Sequence, residues 1–115
     1  MKCTTNCWCS FWNVNLEDQY FNNLNGVYII WYYDDQGVPR TFRVGQGNIK
    51  DRTNFHRSEY RQQYGNWDLY ITCTEVDMRK VDGVERYLHN VLNPLIDERS
   101  PNVIPISIDL PELFS

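Results

Sequence analysis

The clearest pattern in the first half of the chain is an uninterrupted apolar and aromatic run, Val27–Tyr33. Its β-branched and aromatic side chains are typical of a largely buried strand. The turn-forming stretch Asp34–Gly37 follows, and Arg40–Val44 then alternates, which predicts Arg43 on one face of a strand and Phe42 on the other. Together, the two runs predict an antiparallel hairpin.

A helix is predicted directly after the hairpin, where Asn48 can cap its first turn. Spacings of three and four place five residues on, or beside, one face of this helix: Ile49, Arg52, Thr53, His56 and Tyr60. The stretch Tyr64–Asn66 is expected to end the helix, with Gly65 as a left-handed cap.

The second half of the chain predicts one more strand and one more helix. Trp67–Val76 alternates as a strand does, and a helix capped by Asp77 or Asp82 then runs to Leu92 and stops at Pro94. The apolar stripe of this helix is typical of an amphipathic helix packed on a core: Val81, Val84, Leu88, Val91 and Leu92.

The two terminal segments lack a sustained period. Residues 1–24 are interpreted as an N-terminal leader, and the stretch from Pro94 to Ser115, which holds four of the five prolines, as an extended tail packed on the body. Residues 25–115 are therefore expected to form a single domain of the α/β (α+β) class. A chain of 115 residues with 42% apolar side chains has room and material for one core.

Neither a membrane span nor a signal peptide is indicated. The run Val27–Tyr33 is too short to cross a bilayer, and Lys2–Ser10 lacks the apolar centre of a secretory signal. We therefore expect a soluble, cytoplasmic protein with no membrane partner. The sequence shows no coiled-coil heptads, so both a monomer and a homodimer stay open.

Four cysteines raise the question of metal binding. Cys3, Cys7 and Cys9 could ligate zinc together with Cys73 or a histidine, but the second closely spaced ligand pair of a structural zinc site is missing. Inside a cell the thiols would also stay reduced. Reduced thiols on the leader are the favoured interpretation, and a zinc-bearing interaction segment is the alternative.

Charge is distributed unevenly along the chain. The net charge is −4, which argues against a nucleic-acid partner, but six basic residues face two acidic ones between Arg40 and Arg61. This segment is therefore +4 and the rest of the chain −8. A basic face on an acidic body can hold a phosphate backbone, and a solvated helix surface explains the same charges equally well.

Four side chains of complementary chemistry fall on neighbouring predicted elements. Tyr28 lies early in the first strand, Arg52 and His56 are one turn apart on the first helix, and Glu85 flanks the apolar stripe of the second. A carboxylate can anchor a divalent metal, a guanidinium can neutralise phosphate charge, and a phenol or imidazole can take a proton from water. The set suits hydrolysis of a phosphodiester.

Five short blocks fall in order on the predicted strand, strand, helix, helix and loop. They are Gly26-Val27-Tyr28, Arg43-Val44-Gly45, the stretch from Val44 through Arg52 with His56, Gly83–Leu88 and Leu92–Ile96. Together, the blocks resemble the GIY-YIG nuclease family, especially its small stand-alone bacterial members, from Gly26 to about Pro111. The resemblance implies a three-stranded antiparallel sheet flanked by helices and metal-dependent endonucleolytic cleavage of nucleic acid. Of the two nucleic acids, DNA is favoured over RNA as the substrate, and the choice between them stays open.

The resemblance also implies a role for each matching residue. Tyr28 would be the general base or water positioner, Arg52 would grip the scissile phosphate, and His56 would assist Tyr28 or the phosphate. Glu85 would bind one Mg²⁺ or Mn²⁺ ion. The residues expected to bind substrate, from the motifs and the basic segment, are Arg43, Gly45, Lys50, Arg57 and Asn93.

The chain departs from the family pattern at one position, because Arg43 stands where the second motif has a tyrosine. An arginine stays charged at any workable pH and cannot accept a proton. Arg43 could instead bind phosphate, or lower the pKa of Tyr28 through its charge. The alternative is a catalytically disabled domain that binds nucleic acid or protein.

Overall fold

A four-stranded antiparallel sheet with two helices forms the body of the protein. The computed structural model describes residues 9–96, 101–111 and 114. Its elements are β1 Cys9–Ser10, a 3-10 helix Gln19–Phe21, β2 Asn25–Tyr33, β3 Pro39–Asn48, α1 Ile49–Tyr64, β4 Tyr70–Glu75 and α2 Val81–Leu92. The strand order is β1-β4-β2-β3, so β3 lies at one edge. The α+β class is confirmed, and the expected number of three strands is wrong.

The additional strand comes from the segment that the sequence assigned to a leader. Cys9 pairs with Ile71 and Ser10 with Tyr70. The segment also supplies buried side chains to the core: Phe11, Val14, Leu16, Phe21 and Leu24. A strand of two residues has no period to detect, and the apolar residues after it are irregularly spaced, so the sequence pattern missed both.

This segment also decides part of the cysteine question. Cys9 is 2% exposed and packs in the core, as does Cys73, so neither sits on a loose leader. Cys3 and Cys7 lie outside the described residues.

The hairpin of β2 and β3 follows the prediction, with one irregularity. Its turn is closed by a bond from the Asp34 N–H to the Val38 carbonyl, 2.9 Å. Ile30 pairs with Arg43, but Trp31 pairs with Thr41, so Phe42 is an extra residue in a β-bulge. The extra residue breaks the alternation, and the predicted placement of Arg43 and Phe42 on opposite faces is wrong.

The two faces of the sheet carry separate cores. The α1-side cluster comprises Cys9, Phe11, Val14, Leu16, Phe21, Leu24, Tyr28, Ile30, Phe42, Ile49, Tyr60, Leu69, Ile71 and Cys73. The α2-side cluster comprises Val27, Ile29, Trp31, Val44, Val84 and Leu88. Alternate residues of β2 therefore feed opposite faces, as the two-residue period of a strand requires.

The helix ends show which capping predictions hold. Asn48 accepts a bond from the Asp51 N–H, 3.0 Å, which confirms it as the cap of α1. Gly65 has φ −59°, so the predicted left-handed cap is wrong; the left-handed residue is instead Asn93 after α2, with φ 47°. For α2, the cap position is Lys80 rather than either predicted aspartate.

The C-terminal tail packs beside α2. The Ile106 N–H donates to the Gly83 carbonyl, 2.9 Å, and Ile108, Leu110 and Phe114 pack against the α2-side cluster. Within the part of the chain that the structure describes, neither helix has the length and apolar character that a bilayer crossing requires.

Candidate active site

A cavity of about 160 Å³ lies beside edge strand β3 and brings together the three side chains on which the sequence hypothesis depends, Tyr28, Arg52 and Glu85. Its full lining is Tyr28, Arg43, Val44, Gly45, Gln46, Arg52, Glu85 and His89. These residues come from β2, β3, α1 and α2. The fold thus places a phenol, two guanidinium groups, a carboxylate and an imidazole around one space.

Two glycines of β3 make room for the reactive side chains. Tyr28 pairs with Gly45 across the hairpin, and a Cβ atom at Gly45 would collide with the Tyr28 hydroxyl. Gly47 has φ +128°, and a Cβ there would stand 3.2 Å from Cγ of Arg52. Gly45 therefore leaves space for the phenol ring. Because glycine has no side chain, it does not contact a ligand through one.

Behind the cavity, Tyr28 is the first member of a buried hydrogen-bonded chain. Its hydroxyl lies 2.6 Å from Nε2 of His56, and Nδ1 of His56 lies 2.9 Å from Oε1 of Glu59. The His56 side chain is fully buried and stacks on Tyr60, with ring centroids 5.5 Å apart and planes 12° apart. His56 therefore contacts the phenol from behind and does not line the cavity.

The two arginines of the cavity are held differently. Arg43 is 7% exposed, and its Nη1 donates to the Tyr60 hydroxyl at 2.7 Å. Arg52 is half-buried, with its guanidinium 4.9 Å from the centre of the Phe55 ring, in a cation–π arrangement. Arg43 is thus fixed within the protein, whereas Arg52 sits at the exposed side of the site.

Burial changes the protonation chemistry of the phenol and the imidazole. Loss of solvent raises the pKa of Tyr28 above its usual value, although hydrogen bonding and charge from Arg52 and Arg43 oppose the rise. Burial is also the main reason that the pKa of His56 falls to about 4, with the two arginines adding to the fall and Glu59 opposing it. The expected lowering of the Tyr28 pKa is therefore not found, because burial outweighs the positive charges.

Glu85 is the only carboxylate among the residues that line the cavity. It is 7% exposed, and burial raises its pKa to about 7, with a further rise from the charge of Asp82. A hydrogen bond from Gln46 and the charges of the two arginines act in the opposite direction. Gln46 also donates from Nε2 to Oδ1 of Asp82, 2.6 Å, so its amide links β3 to the acidic side of α2.

The donor set around Glu85 fits a magnesium-type ion. Mg²⁺ keeps several water ligands and commonly takes one or two carboxylates plus phosphate oxygens of its substrate. One buried carboxylate facing a polar cavity, with Asp82 nearby, matches that requirement. Among the described residues, no three His, Cys, Asp or Glu side chains come together, so a metal cage made by the protein alone is not found there.

Two basic residues expected to bind substrate are occupied elsewhere. Lys50 pairs with Glu17, Nζ to Oε2 3.1 Å. Arg57 donates to the backbone carbonyls of Phe11 and Val14, each at 2.8 Å, and so fastens the N-terminal segment to α1. Charge counted along the sequence could not reveal this, because the acceptors are carbonyl groups of a segment with no detectable period.

Asn93 also lies outside the cavity. It is the left-handed residue that ends α2, its N–H donates to the His89 carbonyl at 3.3 Å, and it lines a different cavity together with Arg40 and Leu95. Its position is explained by helix termination, for which asparagine is one of the few suitable residues.

Three residues of the site were missed by sequence reasoning. Glu59 stands three residues after His56, a spacing that brings side chains together on a helix, and His89 stands four after Glu85. These spacings were a usable signal. Gln46 offered none, because a single amide in a loop motif does not stand out without the fold.

Comparisons with known protein families, with curated proteins and with solved structures find no match to this chain.

Proposed function

We propose that this protein is a metal-dependent endonuclease that hydrolyses phosphodiester bonds of nucleic acid at the cavity beside β3. The observation that carries the proposal is the shared lining of that cavity by Tyr28, Arg52 and Glu85, with His56 hydrogen-bonded behind the phenol. A proton acceptor, a phosphate-binding cation and a metal-binding carboxylate are the groups that this reaction needs.

Proton transfer would begin at Tyr28. Its raised pKa keeps the phenol protonated at neutral pH, so Tyr28 can accept a proton from water only while its own proton moves to Nε2 of His56. The hydroxide formed attacks phosphorus, the bond from phosphorus to the 3′ oxygen breaks, and the leaving oxygen takes a proton from solvent. The products are a 5′-phosphate and a 3′-hydroxyl.

The arginines would stabilise the charge that grows on the phosphate during attack. Arg52 lines the cavity and is half-buried, and it would contact a non-bridging oxygen. Arg43 adds a fixed positive charge inside the site. Preorganised cations in a site that excludes water contribute roughly 3–4 kcal/mol to such transition states.

Glu85 would hold one Mg²⁺ or Mn²⁺ ion. When bound, such an ion polarises a phosphate oxygen as a Lewis acid. Because the pKa of Glu85 is about 7, its carboxylate is only partly ionised at neutral pH. Metal affinity should therefore rise as the pH is raised through 7, since the proton and the cation compete for the same oxygens.

DNA is the substrate that we propose, following the resemblance stated above, for a cytoplasmic enzyme. Of the basic residues from Arg40 to Arg61, Arg43 and Arg52 line the cavity, while Lys50 and Arg57 are held elsewhere. So few cations favour weak, salt-sensitive contacts with the backbone and little reading of base sequence.

The test is nicking of supercoiled plasmid by purified protein with Mg²⁺ or Mn²⁺. We expect metal-dependent conversion to the open circle, lost in Glu85→Gln and kept in Glu75→Gln, a matched change at an exposed carboxylate at the end of β4. Nicking by folded Glu85→Gln at the wild-type rate would refute the proposed metal role.

The second candidate is a nuclease-like binding domain without catalysis. Arg43 favours it, because the position expected to hold a second phenol carries a cation already bonded to Tyr60. Salt-sensitive DNA binding with no nicking in either metal would support this function. Nicking that appears only in Arg43→Tyr would identify the arginine as the cause.

A further inference from the structure

We propose that Glu59 is a positioning residue that fixes the tautomer of His56, so that Nε2 of His56 offers its lone pair to the hydroxyl of Tyr28. The catalytic consequence rests on the proposed function, whereas the tautomer itself does not. Glu59 lies on α1, one turn beyond His56, and it is not among the residues that line the cavity.

The geometry uses both ring nitrogens of His56. Nδ1 is 2.9 Å from Oε1 of Glu59, and Nε2 is 2.6 Å from the Tyr28 hydroxyl. An ionised carboxylate can only accept a hydrogen bond, so Nδ1 must carry the hydrogen when Glu59 is ionised. In the neutral imidazole Nε2 then has no hydrogen, and it accepts from the phenol.

Because the His56 ring is buried, its hydrogen bond to Glu59 determines which tautomer forms. The His56 side chain is fully buried, whereas that of Glu59 keeps 36% of its surface in solvent. The carboxylate can therefore stay hydrated on one side while it orients a ring that solvent does not reach. Tyr60 stacks on the ring and limits its rotation, so the choice between the two tautomers depends on the group beyond Nδ1.

The charges facing His56 make Glu59 necessary for proton transfer. Burial disfavours an imidazolium most, and the charges of Arg43 on β3 and Arg52 on α1 disfavour it further. Glu59 acts in the opposite direction, through its hydrogen bond and its charge. As the phenol proton moves to Nε2, the proton of the attacking water takes its place on the Tyr28 oxygen, and the imidazolium forms between the neutral phenol and the Glu59 carboxylate.

The tautomer can be measured directly by long-range ¹H–¹⁵N NMR at pH 7. The chain has two histidines, so the spectrum of His56→Gln identifies the His56 signals by their loss. We expect hydrogen on Nδ1 in the wild type, the same tautomer in Glu59→Gln, and a mixture in Glu59→Ala. Gln63→Ala, an exposed change on the same helix, should leave the spectrum of His56 unchanged. Hydrogen on Nε2 in the wild type, or an unaltered tautomer in Glu59→Ala, would overturn the proposal.

A pH profile of cleavage then separates positioning from a structural role. We expect Glu59→Ala to lower kcat at least tenfold at pH 7 with KM unchanged, and the deficit to shrink as the pH rises toward 9.5, because the fraction of Tyr28 that is ionised without the help of His56 grows with pH. A deficit that stays constant with pH would mean that Glu59 only supports the structure. If the wild type cleaves nothing, the proposed function fails, while the NMR result still decides the tautomer.

Discussion

The two faces of the sheet differ in what they bury. On the α2 side, the cluster is made of apolar side chains, among them Trp31 from β2 and Val84 and Leu88 from the helix. On the α1 side, the helix buries Thr53 and His56 beside its apolar residues, and both side chains make hydrogen bonds. The two helices thus hold their buried polar groups differently: His56 on α1 is bonded at both ring nitrogens behind the cavity, whereas Glu85 and His89, which α2 buries beside Val84 and Leu88, line the cavity itself.

The largest effect on stability should come from truncating a buried side chain of the α2-side cluster. Leu88→Ala removes a side chain that is 1% exposed, and we expect the free energy of unfolding to fall by about 2–5 kcal/mol in urea denaturation. Val91 was expected in the core-facing stripe of the same helix, but it is 43% exposed, so that part of the prediction is wrong. Val91→Ala should therefore change the free energy of unfolding by no more than about 0.5 kcal/mol. Equal losses in the two variants would contradict this account of the α2 side.

The polar groups of the two faces should show opposite dependence on pH. Glu85 has a pKa raised from 4.5 to about 7, so its contribution to stability is full below pH 4.5 and is lost as the pH rises through 7. His56 has a pKa lowered from 6.5 to about 4, so its contribution is full above pH 6.5 and is lost as the pH falls toward 4. Between pH 4.5 and 6.5, the stability that Glu85 loses as the pH rises is largely offset by the stability that His56 gains.

Replacing either Glu85 or His56 should reveal the pH dependence of stability that the other residue contributes. We expect the stability of Glu85→Gln to rise with pH between 4.5 and 6.5 and that of His56→Gln to fall, each by about 1 kcal/mol per pH unit. Urea titrations at several pH values measure both slopes. The same sign of slope in the two variants would contradict the assignment.

Two arginines of α1, Arg57 and Arg52, are expected to differ in whether they stabilise the fold or contact DNA. Arg57→Ala loses two bonds to carbonyls of the N-terminal segment, and we expect a stability loss of about 1–2 kcal/mol with no change in the salt dependence of DNA binding. Arg52→Ala should do the reverse, keeping stability and reducing the salt slope by about one. A reduced slope in Arg57→Ala would show that this residue contacts the phosphate backbone after all.

The elements with a clear period could be predicted from the sequence, and those shaped by a single residue could not. The apolar run of β2 and the stripe of α2 carry their own signals, since a long buried element repeats its pattern. The two-residue β1 has nothing to repeat. The bulge at Phe42 shifts a register that only the pairing of two strands reveals.

The residues of the candidate site also divide into features that the sequence could predict and features that only the fold reveals. The sequence could identify Tyr28, Arg52 and Glu85 as complementary groups, and the structure places them around one cavity. It could not give the direction of the Tyr28 pKa, because burial and positive charge oppose each other and only the degree of burial decides. Nor could it show that Arg57 is held by backbone carbonyls.

The most direct test of the central claim is the single-turnover rate of DNA cleavage by Tyr28→Phe in Mg²⁺, with Tyr32→Phe on the same strand as the control. Removal of the Tyr28 hydroxyl deletes the group that accepts the proton of water, and we expect a loss of roughly 100-fold or more, with Tyr32→Phe at the wild-type rate. Cleavage by Tyr28→Phe as fast as by the wild type would contradict a reaction at this cavity.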